Sequence, residues 1–191
     1  EGIMRGMRVQ GALLVLCLAT LALVGCATMQ SAGGGQPPQV KLERVEVASY
    51  FPYAAPPARV PMVLGFVYDV SNPNDFTVAF EELKFTVAFE TKPNEYFTLS
   101  TPWVYEKMSI PGKTTNQLRV TTVLDSLIVP GNLVVTSGQR VMTLGLKPPE
   151  VVKECWEKIG DFSFGIKVIE CVAMFNGGSV IVSFEDSFPK K

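Results

Sequence analysis

The chain has no histidine among its 191 residues. That absence removes Ser-His-Asp and Cys-His catalysis, histidine-ligated zinc and the usual proton shuttle near neutral pH. Basic charge is also thin. The 17 Lys and Arg are balanced by 18 Asp and Glu, the net charge is -1, and no Lys/Arg run occurs. Binding to a phosphate backbone needs a basic patch, so no nucleic-acid partner is expected. No Asp/Asn/Gly calcium loop is visible. Gly112-Lys113-Thr114 fails as a phosphate loop, because Lys107 stands where that motif requires a further glycine. With these classes gone, no catalytic residue, cofactor or metal ligand stands out, and the expectation is a protein that is not an enzyme.

Long apolar runs are equally scarce, with one exception. Residues 11–24 (GALLVLCLATLALV) are apolar and follow Arg5 and Arg8. The run is too short to span a bilayer comfortably but suits the hydrophobic region of an export signal, with Met4 or Met7 as its start. It closes on Leu23-Val24-Gly25-Cys26. These residues resemble the bacterial lipobox, which places a branched apolar residue, a small residue and then the cysteine that takes lipid. The resemblance implies cleavage between Gly25 and Cys26, lipidation of Cys26, and a chain held on the membrane by its N-terminal acyl groups. Two or three acyl chains anchor stably where one is marginal. Ala27 follows the cysteine rather than an inner-membrane-retaining aspartate, which implies an outer-membrane anchor facing the periplasm. The expected organisation is a signal peptide over residues 1–25, a tether over 26–39 and one domain over 40–191. The tether (TMQSAGGGQPPQ over 28–39) is glycine-rich and then proline-stiffened, with a typical span of roughly 20 Å.

Cysteine is sparse, with four in all. Cys17 lies in the apolar run, which leaves Cys155 and Cys171 in the domain. Two readings stand for this pair. In an oxidising compartment they could form a disulfide, whose loop of about 16 residues would contribute roughly 3 kcal/mol. Alternatively they are two buried free thiols acting as small apolar residues.

From Val40 the chain breaks into short alternating segments separated by Pro, Gly and Asn, the texture of an all-β domain. A first strand carries Leu42, Val45 and Val47, and a second over 62–70 sets Met62, Leu64, Phe66, Tyr68 and Val70 on one face. Residues 76–90 read FTVAFEELKFTVAFE, in which the hexapeptide FTVAFE occurs twice at an offset of nine. Side chains in a strand alternate with period two, so an odd offset sends the two phenylalanine sets to opposite faces. A bulge or kink at Glu81-Glu82 is predicted to bring both sets to the core. Further strand pieces are predicted around Pro102, over Leu118, Val120, Thr122 and Leu124, over Phe162 to Cys171, and over Val180 to Phe184. Residues 126–137 are apolar but split by Pro130-Gly131, and 140–146 read as a short edge strand or irregular chain. One helix is predicted over about 149–159, with Pro149 and Glu150 in its first turn and Gly160 at its end.

The stretch Phe66-Val67-Tyr68-Asp69-Val70-Ser71-Asn72-Pro73-Asn74, followed by the Phe-rich strand and later by Ile110-Pro111-Gly112-Lys113, resembles the LEA type 2 family, also called LEA14-like or the WHy domain. Asn72, Pro73 and Asn74 are the motif's turn. The resemblance implies an antiparallel β-sandwich of immunoglobulin or fibronectin III type with one short helix. It also implies a loose association with desiccation and stress protection, and no catalytic residue. Three kinds of action are compatible with it: protection of or binding to proteins in the envelope, a structural or accessory role in an envelope assembly, and binding of a lipid or small apolar ligand. Among the candidate site residues, the pairs Glu81-Glu82 and Glu185-Asp186 are expected to split between faces. Trp103, Tyr105 and Trp156 could line a groove, although core positions are the commoner use of such residues.

Overall fold

In the computed structural model residues 35–190 are described; the lipobox, the signal region and the first part of the tether lie outside the described residues. Two antiparallel sheets face each other. Strand β1 (Gln39–Tyr50) pairs with β2 (Pro61–Ser71), and β2 pairs with β6 (Thr115–Asp125) to form a three-stranded sheet. The second sheet is built on β3 (Val78–Lys92). Both β4 (Glu95–Ser100) and β5 (Trp103–Ile110) pair along it, and β7 (Ile166–Phe175) and then β8 (Val180–Phe188) complete the sheet. Between β6 and β7 the chain forms two helices, α1 (Val129–Thr143) and α2 (Pro148–Gly160). The architecture is the expected mainly-β antiparallel sandwich, with two helices instead of one.

The core follows from strand periodicity. Met62, Leu64, Phe66, Tyr68 and Val70 are all fully buried, as are Phe80, Leu83, Phe85, Val87 and Phe89 from the facing sheet. Phe85 meets both Phe66 and Tyr68 edge-on, with centroids 5.2 and 5.4 Å apart, so it joins the two sheets. The predicted bulge is present. Phe80 and Glu82 are opposite Phe175 and Met174, so β3 carries one residue more than β7 at Glu81. Past that point the inward parity changes from Val78 and Phe80 to Leu83, Phe85, Val87 and Phe89. Phe76 is the exception to the repeat. It precedes the strand and is 51% exposed.

Three other expectations are corrected. Residues 129–143 are helical, neither strand nor irregular, because Val129, Leu133 and Val141 find room in the core and Pro130 fits a first turn. Tertiary burial thus outweighs the poor helix propensity of Gly131, Val134, Val135 and Gly138. The seventh strand starts at Ile166, later than expected. Phe162 has φ of +55° and lies exposed in the turn that leaves α2. The eighth extends to Phe188, beyond the expected Phe184. The other helix matches its prediction, with Val151, Val152, Cys155, Trp156 and Ile159 as its buried stripe.

The two copies of the repeat differ in what they bury. Phe85→Ala is expected to cost about 3–5 kcal/mol of stability through lost burial and an unfilled cavity. Phe76→Ala is expected to change stability by no more than about 0.5 kcal/mol. Urea unfolding of the two variants measures both.

Candidate functional site

The residues of the sequence motif come together as a polar knot at one end of the sandwich. Asn72 is almost fully buried. Its Nδ2 donates to the carbonyls of Phe76 (2.7 Å), Ile110 (3.0 Å) and Pro111 (3.2 Å), while its Oδ1 accepts from the amide and from Nδ2 of Asn74, both at 3.0 Å. One side chain therefore joins the turn after β2 to the turn after β5. Asn74 extends the knot to the tether. Its Oδ1 accepts from the Gln36 amide at 2.7 Å and its Nδ2 donates to the Gln36 carbonyl at 2.8 Å, which occupies both backbone groups of that residue. The folded body thus reaches back to Gln36, inside the stretch expected to be tether. Pro73 presents its carbonyl to the ammonium of Lys113 at 2.6 Å.

The turn at Pro111-Gly112-Lys113 fits the knot for steric reasons. A Cβ on Gly112 would stand 2.6 Å from the carbonyl carbon of Asp75, so only glycine lets the two turns touch. Lys113 has φ of +59°, donates its amide to Asn74 and pairs with Asp75 at 3.4 Å. Nothing in this turn resembles an anion cradle. The turn after β7 lies at the same end, where Asn176 bonds the Ala79 backbone through both its own amide and its side chain.

The remaining candidates separate. Glu82 accepts from the Trp103 indole at 2.6 Å and Glu81 from the Gly177 amide at 2.9 Å. Glu185 pairs with Lys167 and Asp186 with Lys190, so neither acidic pair forms a joint site. Trp156 belongs to the core, where its Nε1 has no hydrogen-bond partner among the described residues. Trp103 and Tyr105 do not: they stand exposed on β5 and stack with centroids 5.4 Å apart, with Lys84 over the indole. Among the described residues, no three His, Cys, Asp or Glu side chains are grouped to hold a metal. No helix among them is long and apolar enough to cross a membrane.

Cys155 and Cys171 are both free and buried, on α2 and β7. Of the two readings of this pair, the structure contains the thiols. Burial pushes the Cys171 thiol up to about 12, with Glu185 and Asp186 adding to it, and pushes Cys155 well above its ordinary value. Burial likewise raises the Tyr68 hydroxyl well above its usual range, reinforced by Cys171 and Asp186. These groups stay protonated at neutral pH, the opposite of what nucleophilic chemistry requires.

The residue that sequence reasoning missed is Gln36. Its only signal was its place before Pro37-Pro38, and its partner lies 38 positions away.

No protein-family model and no curated protein matches this chain. A solved structure described as a protein from Archaeoglobus fulgidus is 12% identical, with a TM-score of 0.38, over 79% of this chain and 98% of that one.

Two outcomes test this geometry. Asn74→Ala is expected to lower stability by about 1–3 kcal/mol, since it leaves buried groups unpaired, and to speed amide exchange at Gln36 selectively. Amide exchange read by NMR measures the second effect. Cys155 and Cys171 are expected to resist alkylation at pH 8 until urea unfolds the chain, as peptide mapping would show. A thiol with a native pKa above its unfolded value holds its proton more tightly when folded. The Cys171 contribution is therefore full below about pH 8.5 and declines as pH rises toward 12.

Proposed function

We propose that this chain is a non-catalytic lipoprotein, anchored through Cys26 in the outer membrane, whose LEA type 2-like domain works by contact in the periplasm. Protection or binding of other envelope proteins under desiccation or stress is the role we assign to it. The observation that supports a tethered body best is the grip of Asn74 on both backbone groups of Gln36. The Gly-rich stretch (residues 33–35) ends there, at the corner where Asn72 bonds the turns after β2 and β5 together. A pull on the N-terminus would be delivered to a knot joining three segments rather than to a single strand end.

Tyr50 packs against Gly160, Lys158 donates to the Thr91 carbonyl, and Arg140 reaches Glu95 and Tyr96. Both helices are therefore held at the end of the sheets away from the knot. A lipid or small ligand between the sheets gains no support, because Phe66, Phe80, Phe85, Phe89, Phe97 and Phe175 already occupy that space. A role as an accessory subunit gains some from the exposed aliphatic residues of α1.

Palmitate labelling in a bacterial host tests the anchor. The chain is expected to carry label and to fractionate with membranes, and Cys26→Ala is expected to lose both. An acyl-free, soluble product would end the lipoprotein reading. For the protective role, an equimolar amount of the protein is expected to reduce light scattering by a heat-labile enzyme; unchanged scattering would leave the accessory role.

A further inference from the structure

A helix on a protein surface ordinarily turns polar residues outward. Helix α1 departs from this: beside the exposed Thr136, Gln139, Arg140 and Thr143 it also turns several apolar residues outward. Its buried residues are Val129, Leu133 and Val141. Facing solvent are Ile128 at its N-cap (54% exposed), Val135 (87%) and Met142 (74%), spaced seven residues apart. Gly131 and Gly138 interleave with them, also seven apart. Together the positions 128, 131, 135, 138 and 142 step by three and four, the spacing of a heptad seam, with the kink at Ser137 falling between Val135 and Gly138. Gly145 continues the series, but its φ of +65° at the helix end already accounts for it. The two helical glycines have no such reason among the described residues. A Cβ on Gly131 would meet nothing within 4 Å, and one on Gly138 would only reach Val134 at 3.8 Å. Glycine weakens a helix interior, and at a helix surface it permits close approach of another backbone.

We propose that α1 is the interface of a two-fold dimer, in which it packs antiparallel against the same helix of a second copy. The register that the sequence favours sets Gly131 opposite Met142, Val135 opposite Gly138 and Ile128 opposite Gly145, each pair summing to the same value. Every bulky residue then faces a glycine, and the relation holds in both directions, as two-fold symmetry requires. A parallel, in-register pair would instead set glycine on glycine and valine on valine. The axis of the antiparallel pair passes next to Ser137, where the helix departs from helical geometry (φ −142°, ψ 15°). A shallow depression of about 570 Å³ lies at the kink, lined by Val134, Val135 and Gly138 together with the polar Thr136, Ser137, Gln139, Arg140 and Thr143, and Val135 of the other copy would seat at its apolar side. Charge does not oppose the pairing. Residues 126–149 hold no acidic side chain, and their Arg140 is engaged with Glu95 and the ring of Phe97. A helix of this length spans only about 22 Å, which is short for a standard interface, so the dimer is weak and reversible. The interface lies at the end away from the knot and does not depend on the lipid anchor.

Cysteine cross-linking of the full-length chain tests the register. A mixture of Gly131→Cys and Met142→Cys chains is expected to form a cross-linked dimer under mild oxidation. Neither variant alone should do so, because like positions lie roughly 16 Å apart along the helix axis; the single variants also control for the native cysteines. Gly131→Ala with Gly138→Ala supplies a second readout. It should raise the melting temperature of the monomer, by better helix propensity, while weakening dimerisation at least tenfold in sedimentation equilibrium. Val135→Asp should leave a folded monomer. Cross-linking by each single variant alone would overturn the antiparallel register. A chain that stays monomeric at hundreds of micromolar would overturn the dimer. So would a monomer whose binding to phosphatidylglycerol vesicles is lost in Val135→Asp, because the occupant of the seam would then be a bilayer.

Discussion

Side chains on a β-strand alternate between two faces, and β3 has to serve one core with two phenylalanine sets of opposite parity. The extra residue at Glu81 resolves that conflict. Without it, either Val78 and Phe80 or Leu83, Phe85, Val87 and Phe89 would face away from the three-stranded sheet. β3 carries both β4 and β5 on one side and β7 on the other, so its register sets the position of much of its sheet. Phe85, between Phe66 and Tyr68, transmits that register to the opposite sheet. The inward parity of both phenylalanine sets thus depends on this insertion, beside a second register shift between β3 and β7 at Lys84/Thr86.

A second constraint is the satisfaction of buried polar groups. Asn72 is enclosed on nearly all sides, and an amide left unpaired there would cost a large part of a domain's net stability. It is instead bonded to three carbonyls and to Asn74, and two of those carbonyls, of Ile110 and Pro111, lie 38 and 39 positions away. The cost of burying it becomes a reason for the two turns and the tether end to hold one arrangement. Tyr68, Thr122 and Trp156 contrast with this, each burying a polar atom with no hydrogen-bond partner among the described residues. They sit where aromatic or β-branched bulk is needed to fill the core, and the apolar contribution of each side chain offsets its unpaired atom.

Much of the fold was legible before any coordinate. The alternating sets of β2 and β6, the bulge at Glu81-Glu82 and the helix at Pro148–Gly160 all rest on local periodicity and local turn chemistry. Helix α1 was not legible, because its glycines, β-branched residues and proline argue against helix locally, and only contacts with the rest of the core reverse that balance. The candidate site was legible in half. Asn72-Pro73-Asn74 announces a turn by composition, but its partners at Gln36, Ile110 and Pro111 lie up to 38 and 39 positions away. The separation of Trp103 and Tyr105 from Trp156 was equally hidden, since aromatic content does not say which side of a sheet faces water.

By itself the sequence determined the mainly-β character of the chain, the place of most of its turns and the exclusion of histidine chemistry, because each follows from residue type or from spacing along a few neighbours; the two-sheet layout came only from the family resemblance. The sequence also carried the lipobox resemblance, which is a local pattern. The tertiary structure alone decided that the two thiols are buried and free, that the tether is gripped at Gln36, and that α1 turns an apolar, glycine-notched face to solvent. Those outcomes depend on which distant segments meet, and side-chain periodicity within one element holds no information about what lies across from it.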